Sequence, residues 1–462
     1  MSNQARDCED SKVDEQLAVS LAERFRGEVI NSDALQLYNG LPVVTNKIPV
    51  RDRKGISHHL LGCVGLDEEP WRVGKFLEQA QRAITEIRSR GNLPILVGGT
   101  HYYIQALLIK DALVGIDVGE DQYIPSEDAE KKWPILRAST EDMFEKLLEV
   151  DPSMAARRHP KDRRKIRRSL EIWLKTGRKA SDIYEEQKQR RVTISAELGE
   201  RNGADNEQGE NTANDMLPTS STLLRFPTII LWTHASSDVL MPRLNERVEN
   251  MISNGLLSEV ELMQASLFKQ EAQGCTVDQT RGIWVAIGYK EFTGYLSASS
   301  AGDGNPKELE VIKQEAIERT KSATRHYAKS QIRWIRLRLL RTLRENKLAD
   351  RMYILDSSDL SQWSTAVENM ACDLVASFLE GHKLPQPSHL SGAAREMLAA
   401  NNGADAPKGE DIQARHCYMC ETTLMTERQW VQHVKSRKHR KISEAKGRRE
   451  ARASTSHAGA QS

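Results

Sequence analysis

The chain has 462 residues, 39% hydrophobic, 5% aromatic and 28% charged, with 66 Lys and Arg against 65 Asp and Glu and a formal net charge of +1. That length allows two or three domains at the usual ~100–200 residues each, and no run approaches the ~18 apolar residues that a membrane-spanning helix needs. A membrane-embedded protein and a uniformly basic polyanion binder are both excluded, so any nucleic-acid surface has to come from clustered charge.

Met1 to Gln16 is acidic rather than apolar or Arg/Ser-rich, so no secretory or mitochondrial address is expected in this stretch. Gln16 to Phe25 reads as a helix, Glu28-Val29-Ile30 as a short strand and Trp71 to Arg90 as a helix. Leu93 to Val97 reads as a buried strand ending at Gly98-Gly99-Thr100. Strands alternating with helices predict a parallel α/β sheet whose ligands sit at the carboxyl edge, where Asn31-Ser32-Asp33 and Gly98-Gly99-Thr100 would lie. Residues 1–110 are thus the first part of an α/β core, and residues 111–222 a basic helical insertion. Within the insertion, Glu141 to Arg191 is helical, and the Gly/Asn/Glu/Ser-rich stretch from Arg191 to Thr222 reads as disordered.

Order resumes at the strand Thr228 to Trp232, with helical segments from Leu240 to Gln264 and from Glu308 to Arg344, so the sheet is expected to be completed in 223–383. A Pro/Ser/Gly/Asn-rich linker covers 384–410, a Cys/His module 411–445 and a basic tail 446–462. Cys8, Cys63, Cys275 and Cys372 lie far apart, which fits a reducing compartment: cytoplasm first, with mitochondrion and nucleus as further addresses. A monomer is expected.

Cys417-x2-Cys420-x12-His433-x5-His439 is the sharpest local signal, because two thiolates on a hairpin and two imidazoles on a helix can close a tetrahedron on Zn2+. Lys435, Arg437, Lys438, Arg440 and Lys441 surround it, either as a phosphate-docking face or as a solvated tail. A second basic run, Arg157 to Arg168, holds eight Lys or Arg and one His against one Asp, a density that points to an anionic partner such as nucleic acid. Asp33 after a buried strand could accept a proton from a substrate at the sheet edge; a turn or helix cap is the alternative, and residue types do not separate the two. Gly98-Gly99-Thr100 would let backbone approach a ligand closely.

Five segments together resemble the eukaryotic tRNA dimethylallyltransferases of the P-loop α/β class. They are Gln16 to Tyr38, Thr45-Asn46-Lys47 with His58-His59, Gly98 to Tyr103, Ile287-Gly288-Tyr289-Lys290-Glu291, and Thr324-Arg325-His326-Tyr327-Ala328-Lys329. The resemblance implies transfer of a dimethylallyl group from dimethylallyl diphosphate, with Mg2+, to N6 of the adenosine 3′ of the anticodon. It implies Asp33 as general base, Thr100 near the transfer site, and Arg325 and Lys329 as cations neutralising the diphosphate. Asp33, Ala34, Leu35 and Gln36, with Arg164, Lys165, Ile166, Arg167 and Arg168, would contact the tRNA anticodon stem-loop. A C-terminal zinc finger of C2H2 type is also similar to that of eukaryotic members.

The family's phosphate loop would precede the first helix, where this chain reads Cys8-Glu9-Asp10-Ser11-Lys12-Val13-Asp14-Glu15. No glycine precedes Gly27, the four acids there would repel a diphosphate, and the strand leading into such a loop is not in evidence. Ser330 stands where a further basic residue is usual. The rivals are an inactive family member that only binds tRNA, and a DNA-binding regulator built on the finger, which residues outside 417–439 do not support.

Overall fold

The computed structural model describes residues 13–110, 131–187, 189–190, 193, 224–300, 305–399 and 414–446. The expectations for residues 1–12, for 194–222 as a disordered stretch and for the tail 447–462 lie outside the described residues. The chain divides into two compact units, Met1–Ala112 with Glu197–Asn402, and Leu113–Ala196 with Gly403–Ser462.

The first unit opens with α1 (Val13–Phe25), whose Leu17, Ala18, Leu21 and Ala22 recur at helical spacing and are buried. Next come β1 (Gly27–Asn31), β2 (His58–His59), α2 (Val73–Ser89), β3 (Leu93–Val97) and α3 (His101–Leu108). β1 pairs in parallel with both β2 and β3, with Val29 opposite Ile95 and Ile30 opposite Leu96. Every residue of β1 is buried, as a parallel strand covered on both faces requires. At its start Glu28 accepts hydrogen bonds from Arg90 (2.8 Å) and Asn92 (2.8 Å) and meets the His59 ring at 2.7 Å, which ties β1, β2 and the turn before β3 together.

Chain order then enters the second unit with α4 (Thr140–Val150), α5 (Pro152–Ala156) and α6 (Arg163–Thr176), each started by a side-chain cap from Ser139, Asp151 and Asp162 in turn. Leu136, Met143, Leu147, Ala155, Ile166 and Leu170 form this unit's core.

Back in the first unit follow β4 (Ile230–His234), α7 (Ser237–Ser253), α8 (Leu256–Ala272), α9 (Tyr289–Ser300) and α10 (Pro306–Trp334). A π-helical turn, Ile335–Leu339, joins α10 to α11 (Leu340–Glu345), before β5 (Met352–Asp356), α12 (Met370–Leu379) and α13 (Gly392–Ala399). The break between α7 and α8 falls at Gly255, where φ is +98°. The second unit closes with β6 (Arg415–Cys417), β7 (Thr422–Leu424) and α14 (Glu427–Lys435).

Three expectations are corrected. β4 starts two residues later than read from sequence. The first sheet is not completed after the insertion: β4 pairs in parallel with β5, a strand the sequence reading missed, and not with β3. The stretch read as linker from residue 384 holds α13, whose Ala394 is buried, because Met397 and Leu398 give its short helix an apolar side. Among the described residues β3 and β4 each pair on one side only and are half-buried along their length, although Leu93 and Ile95 pack against the same cluster as Ile229 and Leu231. Among the described residues no helix is long and apolar enough to cross a membrane.

Candidate active site and Cys/His centre

Asp33 stands two residues past β1, at the carboxyl edge of the sheet. Ser32 fixes the exit, its backbone N–H (2.7 Å) and hydroxyl (3.0 Å) both donating to the Val97 carbonyl. Asn31 locks the turn: its Oδ1 accepts from the Asp33 N–H at 2.9 Å and its Nδ2 donates to the Leu60 carbonyl at 2.8 Å. Asp33 Oδ1 accepts from the Leu35 N–H at 2.8 Å, and Thr100 Oγ1 accepts from the Ala34 N–H at 3.0 Å. The turn-forming reading and the active-carboxylate reading are therefore compatible in one side chain.

The glycine pair is explained by the same carboxylate. At Gly98, with φ +148°, an added Cβ would lie 2.6 Å from the Asp33 nitrogen and 2.7 Å from the Ser32 carbonyl carbon. At Gly99 it would lie 3.2 Å from Asp33 Oδ2.

Electrostatics focus on this point. Burial pushes the Asp33 carboxyl above its usual range, against the pull of the Leu35, Gln36 and Gly99 N–H groups and of Arg247. Arg247 comes from α7, and its Nε is inaccessible to solvent with no hydrogen-bond partner. Burial, and then Asp14, push Glu15 up to about 7, while Gln36 Nε2 donates to Glu15 Oε1 at 3.2 Å. Asp14 accepts from the Thr233 hydroxyl. Tyr327 of α10 is pushed up to about 12 by burial and then by Asp33. His101 is pushed down to about 4 by burial, so it is neutral at pH 7, and it stacks on Trp334 at 5.4 Å. Glu15, Asp33 and Arg247 are half-buried, while Asp14 and Tyr327 keep exposed surface.

The loop after Asp33 is clamped to α8. Glu259 accepts from the Val43 and Val44 N–H groups at 2.8 and 2.7 Å, and the buried Lys47 ammonium donates to the Tyr38 carbonyl, its pKa pushed down to about 8 by burial.

Of the residues singled out from sequence, Asp33, Ala34, Leu35, Gln36 and Thr100 come together. Arg325 and Lys329 do not join them. Arg325 donates to Asn245 Oδ1 on α7, and Lys329 lines a different recess. Residues two apart on a helix point about 200° from one another, and Tyr327 holds the face turned to Asp33. Sequence reading missed Arg247, yet a signal existed: it falls on the apolar stripe Leu240, Leu244, Arg247, Met251 of α7, where a charge needs a reason.

In the second unit Arg164, Lys165 and Arg168 of α6 are exposed. Arg167 Nε donates to Glu171 at 2.9 Å. Ile166 is fully buried in the core, so its side chain offers nothing to RNA, a correction to its place among the tRNA contacts. The four ligand atoms of Cys417, Cys420, His433 and His439 lie within 4.8 Å of one another. The β6–β7 hairpin supplies the sulfurs and α14, capped by Thr426, supplies His433. This is a candidate Cys/His metal site.

Comparison with known proteins places these features. The family model described as IPP transferase matches residues 36–338. The tRNA dimethylallyltransferase of Schizosaccharomyces pombe is 36% identical over 439 residues, covering 92% of this chain and 91% of that protein. That of Saccharomyces cerevisiae is 32% identical over 434 residues, covering 92% and 88%. A solved eukaryotic dimethylallyltransferase acting on tRNA superposes with a TM-score of 0.73 at 28% identity, covering 97% of each chain. The α/β core is that of a prenyl-transferring enzyme. The chain belongs to the IPP transferase family.

Proposed function

We infer that the chain transfers a dimethylallyl group from dimethylallyl diphosphate to the N6 amine of an adenosine 3′ of the tRNA anticodon, giving N6-isopentenyladenosine. The observation that carries this reading is the Asp33 carboxyl, raised by burial at the carboxyl edge of β1 and facing the Arg247 guanidinium. The N6 lone pair attacks C1 of the allyl group, the C1–oxygen bond breaks and its electron pair leaves with diphosphate, while the N6 proton passes to Asp33. A base of raised pKa holds that proton better than an exposed aspartate would. The adenine has to leave its stack to reach a half-buried carboxylate, and the Arg247 guanidinium, whose Nε has no partner, offers a donor to the departing anion. Thr100 positions Asp33 through the Ala34 amide. Arg325, through Asn245, positions the helix that carries Arg247.

The exposed Arg164, Lys165 and Arg168 supply a phosphate-contacting face for tRNA. Two thiolates and two imidazoles converging on one point suit structural Zn2+, which organises a small ββα finger. Mg2+ accompanies diphosphate substrates in general, but Asp14, Glu15 and Asp33 do not converge on one ion position, so no step is assigned to it. A monomer in a reducing compartment fits the cysteine pattern.

One observation favours a second reading, an inactive tRNA-binding member: Glu15 stands close to Asp33, two carboxylates against the Arg247 guanidinium. Nucleoside mass analysis of an anticodon stem-loop incubated with the chain and dimethylallyl diphosphate separates the two. Isopentenyladenosine supports transfer; RNA binding with unmodified adenosine supports the second reading.

A further inference from the structure

His159, in the turn before α6, reaches the finger: its Nε2 lies 3.0 Å from the carbonyl oxygen of Thr423 on β7, 264 residues along the chain. The Lys161 N–H donates to the other ring nitrogen, Nδ1, at 3.1 Å, so Nε2 carries the proton of the neutral ring and donates to Thr423. On the insertion side the Asp162 N–H donates to the His159 carbonyl at 2.9 Å. Asp162 Oδ1 in turn accepts from the Lys165 N–H at 3.1 Å and caps α6, whose first turn exposes Arg164 and Lys165. On the finger side Thr423 pairs with His416 across the hairpin, and His416 Nδ1 lies 3.1 Å from its hydroxyl. Its neighbour Thr422 donates to the Cys420 carbonyl at 3.0 Å. Arg415 holds the hairpin to α14 through Glu427 at 2.7 Å and the Trp430 ring at 5.3 Å. Among the described residues β7 pairs with β6 alone, and a strand with one neighbour leaves backbone groups for partners outside its sheet. One imidazole therefore joins the hairpin that carries the sulfurs to the turn that starts the basic helix.

We propose that His159 is a positioning residue that docks the Cys/His hairpin on the helical insertion, so that the two order one another and metal loss at the finger is felt at the start of α6. The step rests on the metal-site reading of Cys417, Cys420, His433 and His439 and on the RNA-facing reading of Arg164, Lys165 and Arg168. A docked pair meets a phosphate backbone as one body, without the ordering that two independently moving modules need on binding.

The test uses the full chain loaded with Zn2+ and the variant His159→Asn. Asparagine keeps an acceptor for the Lys161 N–H, as Asx turns do, but is too short to reach Thr423. Amide hydrogen exchange is followed over 415–424 and over 157–162, with metal content measured alongside. Docking through His159 predicts exchange over 415–424 about three- to tenfold faster in His159→Asn, the loss of one hydrogen bond, at the parent's metal content. Chelation should speed exchange over 157–162 in the parent and not in His159→Asn. Anticodon stem-loop affinity should fall for His159→Asn and for Cys420→Ser, and no further in the double variant. Should His159→Asn fail to fold, chelation of the parent decides, and exchange over 157–162 that ignores metal removal overturns the proposal. A parent without bound metal removes the metal reading and leaves the docking to be judged by 415–424 in His159→Asn. Unchanged exchange there in a folded variant overturns it.

Discussion

A Cβ added to Gly98 falls 2.6 Å from the Asp33 backbone nitrogen, so the end of β3 and the Asp33 turn after β1 are in contact through an atom that only glycine lacks. Gly98→Ala must therefore push Asp33 out of place, and its φ of +148° adds strain on the order of 1–3 kcal/mol. The expected result is a loss of about tenfold or more in transfer rate with tRNA binding retained. Single-turnover kinetics beside a binding isotherm checks it; unchanged turnover would show that the turn has slack.

Arg247 pulls the Asp33 carboxyl down while burial pushes it up. In Arg247→Gln the downward pull is gone, so Asp33 stays protonated to higher pH. The acidic limb of kcat/KM, which reports the ionisation of the base, should then move to more alkaline pH, alongside a fall in rate. A pH–rate profile that keeps its midpoint and loses only amplitude would mean that Arg247 acts on the diphosphate alone.

Glu28 and Glu15 give opposite pH signatures. Arg90, Asn92 and His59 hold Glu28 down at about 2, below its ordinary 4.5, so its contribution to stability is present above pH 4.5 and is lost as pH falls towards 2. Glu28→Gln should cost about 2 kcal/mol near neutrality and progressively less in acid. Glu15 is raised to about 7 from 4.5, so its favourable contribution is complete below pH 4.5 and is lost as pH rises through 7. Glu15→Gln should hence flatten the stability curve between those values and stabilise the fold above pH 7. Denaturant midpoints against pH for both variants check the signs.

The Cys/His centre is expected to bind one Zn2+ per chain, and chelation should release it together with the hairpin's order. Cys420→Ser should abolish that stoichiometric binding and leave the melting of the α/β core in place. Metal analysis of purified protein and its variant decides, since a metal content unaffected by the change would remove these residues as ligands.

Legibility in the sequence followed locality. α1, β1, α2, β3 and the Cys/His spacing were readable because each is written in consecutive residues with one period or one ligand pattern. β5 was missed because Met352 to Asp356 is short and flanked by polar turns, and a five-residue apolar run is ambiguous without its partner. Asp33 and Thr100 were found through their place at strand ends. Arg247 and Tyr327 were not, since their role depends on α7 and α10, both far along the chain, arriving beside the Asp33 turn. Arg325 and Lys329 came from the family resemblance and not from any pattern of their own; in the fold Arg325 donates to Asn245 and Lys329 is exposed. The break into two strand groups is likewise a tertiary fact, as β3 and β4 read as ordinary buried strands.

The most direct test compares the parent with Asp33→Asn, an isosteric change that keeps the turn's acceptor while removing the base. Transfer from labelled dimethylallyl diphosphate to an anticodon stem-loop is measured alongside the stem-loop's dissociation constant. Loss of transfer by about a hundredfold or more with binding within about twofold of the parent is the predicted result, and full turnover by Asp33→Asn would contradict the account.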